Sequence, residues 1–142
     1  MKYRLPIVNK AIAYIIKDKR LLVFTHRDAP EAGVQIPAGT IKEGERARKA
    51  VLREAYEETG LDCLRIERYL GCRFYNMSPY RPEIHRRYFY LLECTAKTRA
   101  KWTHFETHDG LSEPTAFCFY WVNLSLDLIA GQGDLLGRVK SL

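Results

Sequence analysis

Apolar residues gather in short runs that are broken by polar residues, and most runs have the length of a strand. Two of them, at residues 11–16 and 20–26, lie on either side of the polar triplet Lys17, Asp18 and Lys19. Two short apolar runs around a compact polar turn are typical of a β-hairpin. We therefore expect a hairpin in this part of the chain.

Further strands are predicted on both sides of a central helical segment. Residues 28–33 contain Pro30 and Gly33 and predict a loop, and residues 33–37 predict a short strand. After the helical segment, strand-like runs at residues 64–75 and 86–95 are joined by the proline-containing segment 76–83, and residues 117–124 form another.

The remaining segments predict a loop and short helices. Residues 96–114 are polar and longer than an ordinary connection, so we expect a lid or rim that faces a substrate. Residues 125–139 predict one or two short helices, interrupted by Gly131 and Gly133. Mixed strands with few helices predict an α/β sandwich, formed by one domain over residues 1–142.

Three carboxylates dominate the central helical segment. Glu54, Glu57 and Glu58 are spaced i, i+3 and i+4, which places them on one face of a helix that ends before Gly60. Like charges at this spacing repel, and acids near a helix C-terminus oppose the macrodipole. Something cationic must compensate, and clustered carboxylates suit Mg²⁺ or Mn²⁺.

The opposite ridge of the same helix is apolar and mostly small, with Ala47, Ala50, Val51 and Ala55. Small side chains let a helix lie close to a sheet. We expect this packing to hold the acidic face outward and rigid.

Residues 39–61 resemble the Nudix box, G-x5-E-x7-R-E-U-x-E-E-x-G-U, in which U is aliphatic. Its charged and glycine positions are all occupied without an insertion, by Gly39, Glu45, Arg53, Glu54, Glu57, Glu58 and Gly60. Ala55 and Leu61 occupy the U positions. The resemblance implies the Nudix fold, an α/β/α sandwich with a mixed β-sheet and a loop-helix-loop catalytic motif.

The resemblance also implies an activity, the metal-dependent hydrolysis of a pyrophosphate bond in a nucleoside diphosphate linked to another moiety. By position, Glu54, Glu57 and Glu58 become ligands of Mg²⁺ or Mn²⁺, together with the backbone carbonyl of Gly39. Arg53 and Glu45 become residues that orient these ligands through ion pairs.

The general base and the substrate contacts stay open at this point. Glu54 is one candidate for the base, and the carboxylates Glu106 and Glu113 of the long polar segment are others, with His104 and His108 as alternatives. The candidate substrate contacts are Arg73, Tyr75, Arg87, Glu106 and Glu113. Arg81, Arg86, Tyr80, Tyr88, Tyr90, Trp102 and Phe105 also lie after the box, although an aromatic stripe on a strand is more often part of a core.

The net charge of +6 fits a polyanionic substrate, although surface lysines and arginines serve solubility as well. ADP-ribose, dinucleoside polyphosphates and nucleoside triphosphates remain open, and capped or triphosphorylated RNA is less favoured. Neither a signal peptide nor a membrane span is expected, so we predict a cytoplasmic protein with four reduced cysteines. A homodimer is expected from the family.

Two alternatives use the same fold. A non-catalytic Nudix-fold module would bind a nucleotide or RNA without cleaving it, and such modules usually lose box carboxylates. An isoprenoid diphosphate isomerase would need a nucleophilic cysteine in the pocket, for which Cys72 and Cys94 are the candidates.

Overall fold

The expected hairpin is formed by strands β1 (Ile7–Lys17) and β2 (Arg20–His26). Its two central residues, Asp18 and Lys19, have φ angles of 51° and 62°. Positive φ at both positions is characteristic of the two-residue turns that match strand twist. The computed structural model describes residues 4–124 and 131–140.

Five further strands and two helices complete the described part of the chain. The strands are β3 (Ala38–Thr40), β4 (Leu64–Asn76), β5 (Ile84–Cys94), β6 (Lys101–Glu106) and β7 (Thr115–Asn123), and the helices are α1 (Ala47–Thr59) and α2 (Leu136–Lys140). Short 3₁₀ turns lie at Pro30–Ala32 and His108–Gly110.

The described strands form one mixed sheet in the order β4-β5-β1-β2-β7-β6, and β3 pairs with the first half of β1. The long pairing of β1 with β5 is parallel, whereas the other pairings are antiparallel. A mixed sheet with few helices confirms the predicted fold class.

Alternation along the strands divides the core into two layers. On the helix face, α1 packs on residues that include Ala11, Ala13, Tyr90 and Leu92. On the opposite face, Ile12, Tyr14, Phe89 and Leu91 pack on Leu135, Leu136 and Val139. Alternation along β5 accordingly puts Tyr88 and Tyr90 in one layer and Phe89 in the other.

The segment 131–140 is anchored to the opposite face by polar contacts as well. The Tyr14 hydroxyl donates to the backbone carbonyl of Gln132 over 2.5 Å, and the Gln132 side-chain oxygen accepts from the Ile36 N–H over 2.9 Å. Burial raises the pKa of Tyr14 far above its ordinary value, so the hydroxyl stays a donor. None of the helices in the described ranges is long and apolar enough to cross a membrane.

Two predicted segments differ from the structure. The short strand expected at residues 33–37 lies instead at Ala38–Thr40, and within the predicted range Gln35 makes an isolated bridge to Phe24. Pro37 cannot donate a ladder hydrogen bond, and Gly33 has a φ of 91°, so neither favours regular pairing.

The segment 96–114, predicted as a polar loop, contains the edge strand β6. Its side chains alternate between exposed and half-buried, which is the pattern of a strand with one solvent-exposed face. Of the helices expected at residues 125–139, α2 is present at Leu136–Lys140, and residues 125–130 lie outside the described residues.

All four cysteines are free thiols, as the sequence predicts. Cys94 is buried, and its Sγ lies 3.4 Å from the Sγ of Cys63, at the end of the β4–β5 ladder. Cys72 and Cys118 are half-buried.

Gly60, which ends α1 with a φ of 76°, generates a prediction about stability. A Cβ at this position would lie 2.8 Å from Nδ1 of His104, so Gly60→Ala meets both backbone strain and a clash. Gly44 has the same φ, and a Cβ there has no neighbour within 4 Å, so Gly44→Ala is the matched control.

We expect Gly44→Ala to lose about 1 kcal/mol of unfolding free energy, and Gly60→Ala to lose clearly more. Urea unfolding followed by circular dichroism measures both. Equal losses of unfolding free energy in the two variants would mean that the clash with His104 does not contribute to the effect of Gly60→Ala.

Candidate active site

Helix α1 holds the acidic residues in its last two turns. It ends at Gly60, whose backbone N–H donates to the Tyr56 carbonyl over 2.9 Å. Ala50, Val51 and Ala55 are buried against the helix face of the sheet. The predicted apolar ridge is therefore confirmed, and it fixes the rotation of the helix.

Strand β6 binds the C-terminal turn of α1. The indole Nε1 of Trp102 donates to the Thr59 carbonyl and Nε2 of His104 to the Glu57 carbonyl, each over 2.9 Å. Terminal carbonyls of a helix lack partners within the helix, so these bonds stabilise the turn that carries Glu57 and Glu58. His104, considered above as a base, thus has Nε2 committed to the backbone.

The guanidinium of Arg53 is bound on all sides. It makes a two-pronged contact with Glu45, over 2.8 Å at both Nε and Nη2. Nη1 donates to Glu54 over 2.7 Å and to Glu57 over 3.2 Å, and Nη2 also donates to the Thr40 carbonyl over 3.1 Å. Because a guanidinium has five N–H groups, these five contacts use its whole capacity.

This network sets the protonation of the partly accessible acids. The hydrogen bond from Arg53 lowers the pKa of Glu45 to about 2. For Glu54, burial raises the pKa above its ordinary value, and the bond from Arg53 offsets part of that rise.

Glu58 is the most buried acid of the cluster, with 7% of its surface exposed. Its Oε1 lies 3.4 Å from the backbone N–H of Ala38. Burial raises the pKa of Glu58 well above its ordinary value, and the charges of Glu54 and Glu106 raise it further. A positive charge placed here would reverse that shift.

Gly39 in β3 lies directly against Glu54. A Cβ on Gly39 would overlap the carboxyl group of Glu54, so only glycine leaves room for this side chain. The backbone of β3 and two acids of α1 are thereby in contact distance of each other.

Of the two candidate carboxylates outside the box, Glu106 reaches the cluster. It ends β6, and its charge acts on both Glu54 and Glu58. Its Oε1 accepts from the His108 N–H over 3.0 Å, whereas its Oε2 is buried and lacks a hydrogen-bond partner among the described residues. Buried polar atoms normally have partners, so this oxygen is available to a ligand.

Glu113 and His108 occupy other positions. Glu113 is exposed in the loop before β7, where no contact in the described ranges joins it to the acidic cluster. His108 lies in the 3₁₀ turn after β6, and its Nε2 is 2.8 Å from Oγ1 of Thr115.

A lysine that the sequence analysis did not single out lies beside the cluster. Nζ of Lys10 donates to Oγ1 of Thr40 over 2.7 Å. Burial lowers the pKa of Lys10, the charge of Arg81 lowers it further, and Glu83, Glu54 and Glu58 act in the opposite direction. Lys10 lies just before the apolar run predicted as a strand, and it belongs to the strand only because β1 begins earlier, at Ile7.

The candidate substrate contacts Arg87 and Tyr75 lie together on the opposite face. The guanidinium of Arg87, which is 4% exposed, lies 4.4 Å from the ring centroid of Tyr75. Arg87 is directly opposite Lys10 in the parallel β1–β5 ladder and opposite Arg73 in the β4–β5 ladder. Arg73 itself is exposed and donates to the Cys72 carbonyl over 2.9 Å.

The other aromatic candidates are distributed over several surroundings. Tyr90 is buried in the core, and Trp102 stacks on Phe119 at 5.4 Å between ring centroids. Phe105 is half exposed with Arg27 over its ring, and Tyr80 is almost fully exposed. Tyr90 and Trp102 are therefore structural, as expected from the pattern, whereas Phe105 and Tyr80 are exposed.

The donors present fit a hard divalent cation. Within residues 4–124 and 131–140, no three acidic, histidine or cysteine groups converge as a preformed cage. One oxygen each of Glu54 and Glu57 is paired with Arg53. Carboxylate oxygens crowded around a side-chain-free backbone position are nevertheless the donor set that Mg²⁺ and Mn²⁺ prefer.

Comparison with protein families gives a match to the family model described as NUDIX domain, over residues 7–125. Among curated proteins, the RNA pyrophosphohydrolase of Cereibacter sphaeroides is 38% identical over 58 residues. That match covers 39% of this chain, and it spans about a third of the relative's own length, 36%.

Solved structures show the same fold at low identity. The MutT NUDIX hydrolase from Burkholderia pseudomallei superimposes with a TM-score of 0.64 at 23% identity, covering 94% of this chain and 98% of that one. The C. elegans Ap4A hydrolase gives a TM-score of 0.65 at 18% identity, covering 95% and 97%.

The raised pKa of Glu58 predicts a pH-dependent stability. Without metal, the folded protein holds the Glu58 proton more tightly than the unfolded chain does, so stability falls as pH rises from about 4.3 towards the folded pKa. Glu58→Gln abolishes this loss. We expect the variant to be more stable than the wild type at pH 7 and equal to it at pH 4.

The measurement is urea unfolding in a chelating buffer between pH 4 and 8. Glu43→Gln removes an exposed carboxyl in the preceding loop and should follow the wild type. A constant difference between wild type and Glu58→Gln at every pH would contradict the prediction.

Proposed function

The chain belongs to the Nudix family, and on that premise we propose that it hydrolyses a pyrophosphate bond in a nucleotide substrate, using Mg²⁺ or Mn²⁺. The observation that carries this proposal is the crowding of Glu54, Glu58 and Glu106 in a largely buried space. Burial raises the pKa of Glu54 and of Glu58, the charge of Glu106 adds to both shifts, and Lys10 is a partly buried counter-charge nearby. Divalent cations and a polyphosphate would complete the balance of charge.

Each residue of the cluster has a proposed role. Glu54, Glu57, Glu58 and the Gly39 carbonyl would hold the cation. Bound there, it would neutralise charge on the phosphoryl oxygens and acidify the attacking water. Arg53 touches no substrate in this proposal, and it holds Glu54 and Glu57 in position while Glu45 holds Arg53.

We propose Glu106 as the general base, because its buried Oε2 is available and its position adjoins both Glu54 and Glu58. The water oxygen forms a bond to one phosphorus and its proton passes to the Glu106 carboxylate. The bridging P–O bond breaks, and its electron pair leaves with the second phosphate. Glu54 remains the alternative base.

The substrate would extend from this cluster towards Lys10, with Arg87 behind it in the sheet. Lys10 and Arg87 are neighbours in the β1–β5 ladder, and both are cations that suit phosphate oxygens. Tyr75 packs beside Gly131 and offers an aromatic ring next to Arg87. This arrangement supports a nucleoside diphosphate derivative, and the RNA pyrophosphohydrolase relative gives more support to 5′-triphosphorylated RNA, which the sequence favoured less.

The isomerase alternative receives less support. Cys94 lies against Cys63, and Cys72 lies opposite Tyr88 in the β4–β5 ladder. No contact among the described residues joins either thiol to the acidic cluster. The homodimer and the cytoplasmic location stay predictions.

A substrate panel tests the proposal. It offers ADP-ribose, diadenosine polyphosphates, nucleoside triphosphates and 5′-triphosphorylated RNA, first with Mg²⁺ and then with Mn²⁺. We expect selective turnover of one class, lowered at least about a hundredfold in Glu57→Gln, because that change removes a ligand charge and leaves the Arg53–Glu45 pair intact.

Glu43→Gln is the matched control for the panel and should keep wild-type turnover. Binding without release of phosphate or nucleotide would support the non-catalytic module. Wild-type turnover by Glu57→Gln would overturn the assignment of the ligands.

Gly39→Ala tests whether the contact between Gly39 and Glu54 matters for turnover or for the stability of the fold. The added Cβ displaces the Glu54 carboxyl, which is the far end of a flexible side chain, while Gly39 has an ordinary strand conformation. We expect turnover to fall at least about tenfold, with a change in unfolding free energy below about 1.5 kcal/mol.

Turnover with each metal and urea unfolding of the same preparation measure the two effects. A large loss of stability with proportional loss of activity would instead make Gly39 a structural residue.

A further inference from the structure

A second surface, on the helix face of β4 and β5, is not used by the proposed reaction. Its side chains come from two adjacent strands and share one side of the sheet: Tyr69, Cys72, Phe74, Arg86, Tyr88 and Tyr90. We call this set the aromatic sheet face. It lies on the Arg48 flank of α1, whereas Glu54 and Glu57 occupy the other flank.

Two aromatic rings of this face, those of Phe74 and Tyr69, are accessible to solvent, whereas Tyr88 is half-buried and Tyr90 is buried. Phe74 is 61% exposed and Tyr69 is 49% exposed, and Tyr69 leans on the buried Tyr90 with 5.1 Å between ring centroids. Single exposed apolar side chains are ordinary, but here they follow one face of one strand pair. Register shifts between Ile66 and Arg68, and between Tyr69 and Gly71, re-aim the side chains of β4.

Cations accompany the rings. The guanidinium of Arg86 lies 5.5 Å from the ring centroid of Phe74, and its Nε is buried with no hydrogen-bond partner among the described residues. Arg48 on α1 is exposed and close enough to Tyr90 to act on its pKa. Neither residues 69–76 nor residues 84–90 contain an acidic residue.

We infer that the aromatic sheet face binds single-stranded RNA. Unpaired bases stack on aromatic side chains displayed by a β-sheet, and arginines beside them pair with the phosphates. A second copy of this chain is a poorer occupant, because a two-fold contact would bring together two copies of the same arginine-bearing surface, whose strand segments 69–76 and 84–90 supply no acidic partner. The choice of RNA over DNA rests on the proposed function, and the remainder rests on the geometry alone.

This surface would hold a strand outside the reaction centre. Substrates that carry RNA would then gain affinity from nucleotides that do not react, whereas mononucleotides would not. The aromatic sheet face therefore distinguishes long substrates from short ones.

The test is fluorescence anisotropy with a 12-nucleotide single-stranded RNA that bears a 5′-hydroxyl and a 3′ dye, in chelating buffer. Without metal and without a 5′-phosphate, the probe does not depend on the acidic cluster. We expect Phe74→Leu and Tyr69→Leu to weaken binding at least about fivefold each, through loss of stacking. Arg86→Gln should lower the slope of log K against log salt by about 0.7.

Phe105→Leu is the matched control. Phe105 is 48% exposed and has Arg27 over its ring at 5.3 Å, but it lies on β6 at the other edge of the sheet. We expect this variant to bind like the wild type. Circular dichroism of all variants verifies that the fold is kept.

Several results would overturn the inference. These are absence of RNA binding by the wild type, equal losses in Phe105→Leu and Phe74→Leu, tighter binding of a DNA strand of the same sequence, or a dimer in sedimentation that Phe74→Leu dissociates. RNA binding without turnover in the substrate panel would reject the proposed hydrolysis and leave this inference standing. Turnover without RNA binding would support the proposed hydrolysis and reject the inference that the aromatic sheet face binds RNA.

Discussion

The structure depends on one constraint, the confinement of several carboxylates beside the end of a helix. Arg53 satisfies it from within the protein, because its guanidinium joins Glu45, Glu54 and Glu57 and also holds the Thr40 carbonyl. Because all five of its donors are engaged, Arg53 connects the helix, the preceding loop and β3 through hydrogen bonds and restricts their relative movement. Arg53 makes no hydrogen bond to Glu58 or Glu106 among the described contacts. The pKa of Glu58 is raised and Oε2 of Glu106 has no hydrogen-bond partner among the described residues, so both carboxyl groups favour a cation beside them.

The sheet and the layers packed on its two faces hold the elements that Arg53 connects. The parallel pairing of β1 and β5 runs through the centre of the sheet, and α1 packs on one side of it while Leu135 and Leu136 pack on the other. Strict alternation along β5 sends Arg87 to one face and Arg86 to the other. Two chemically similar arginines therefore serve different surfaces, for a reason that is purely geometric.

The acidic site was the most predictable part of the protein. Spacing alone identified the helix, its end at Gly60 and the shared face of the acids, because these follow from the 3.6-residue period. The strand β6 was missed because its sequence, KWTHFE, lacks a clean alternation: its half-buried positions include the polar His104 and Glu106, and its exposed positions include the aromatic Phe105. The roles of Lys10 and His104 were missed as well, since both depend on pairing between distant segments that no local pattern specifies.

The two side-chain hydrogen bonds from β6 to α1 also affect the order in which the site can form during synthesis. Trp102 and His104 are 43 and 47 residues beyond the carbonyls that they bind. Contacts of such sequence separation form only after the intervening chain has been synthesised and has paired in the sheet. The acidic motif is complete by residue 61, yet its last turn stays unsecured until β6 arrives. During synthesis, competence of the site is therefore governed by a strand from the later part of the chain.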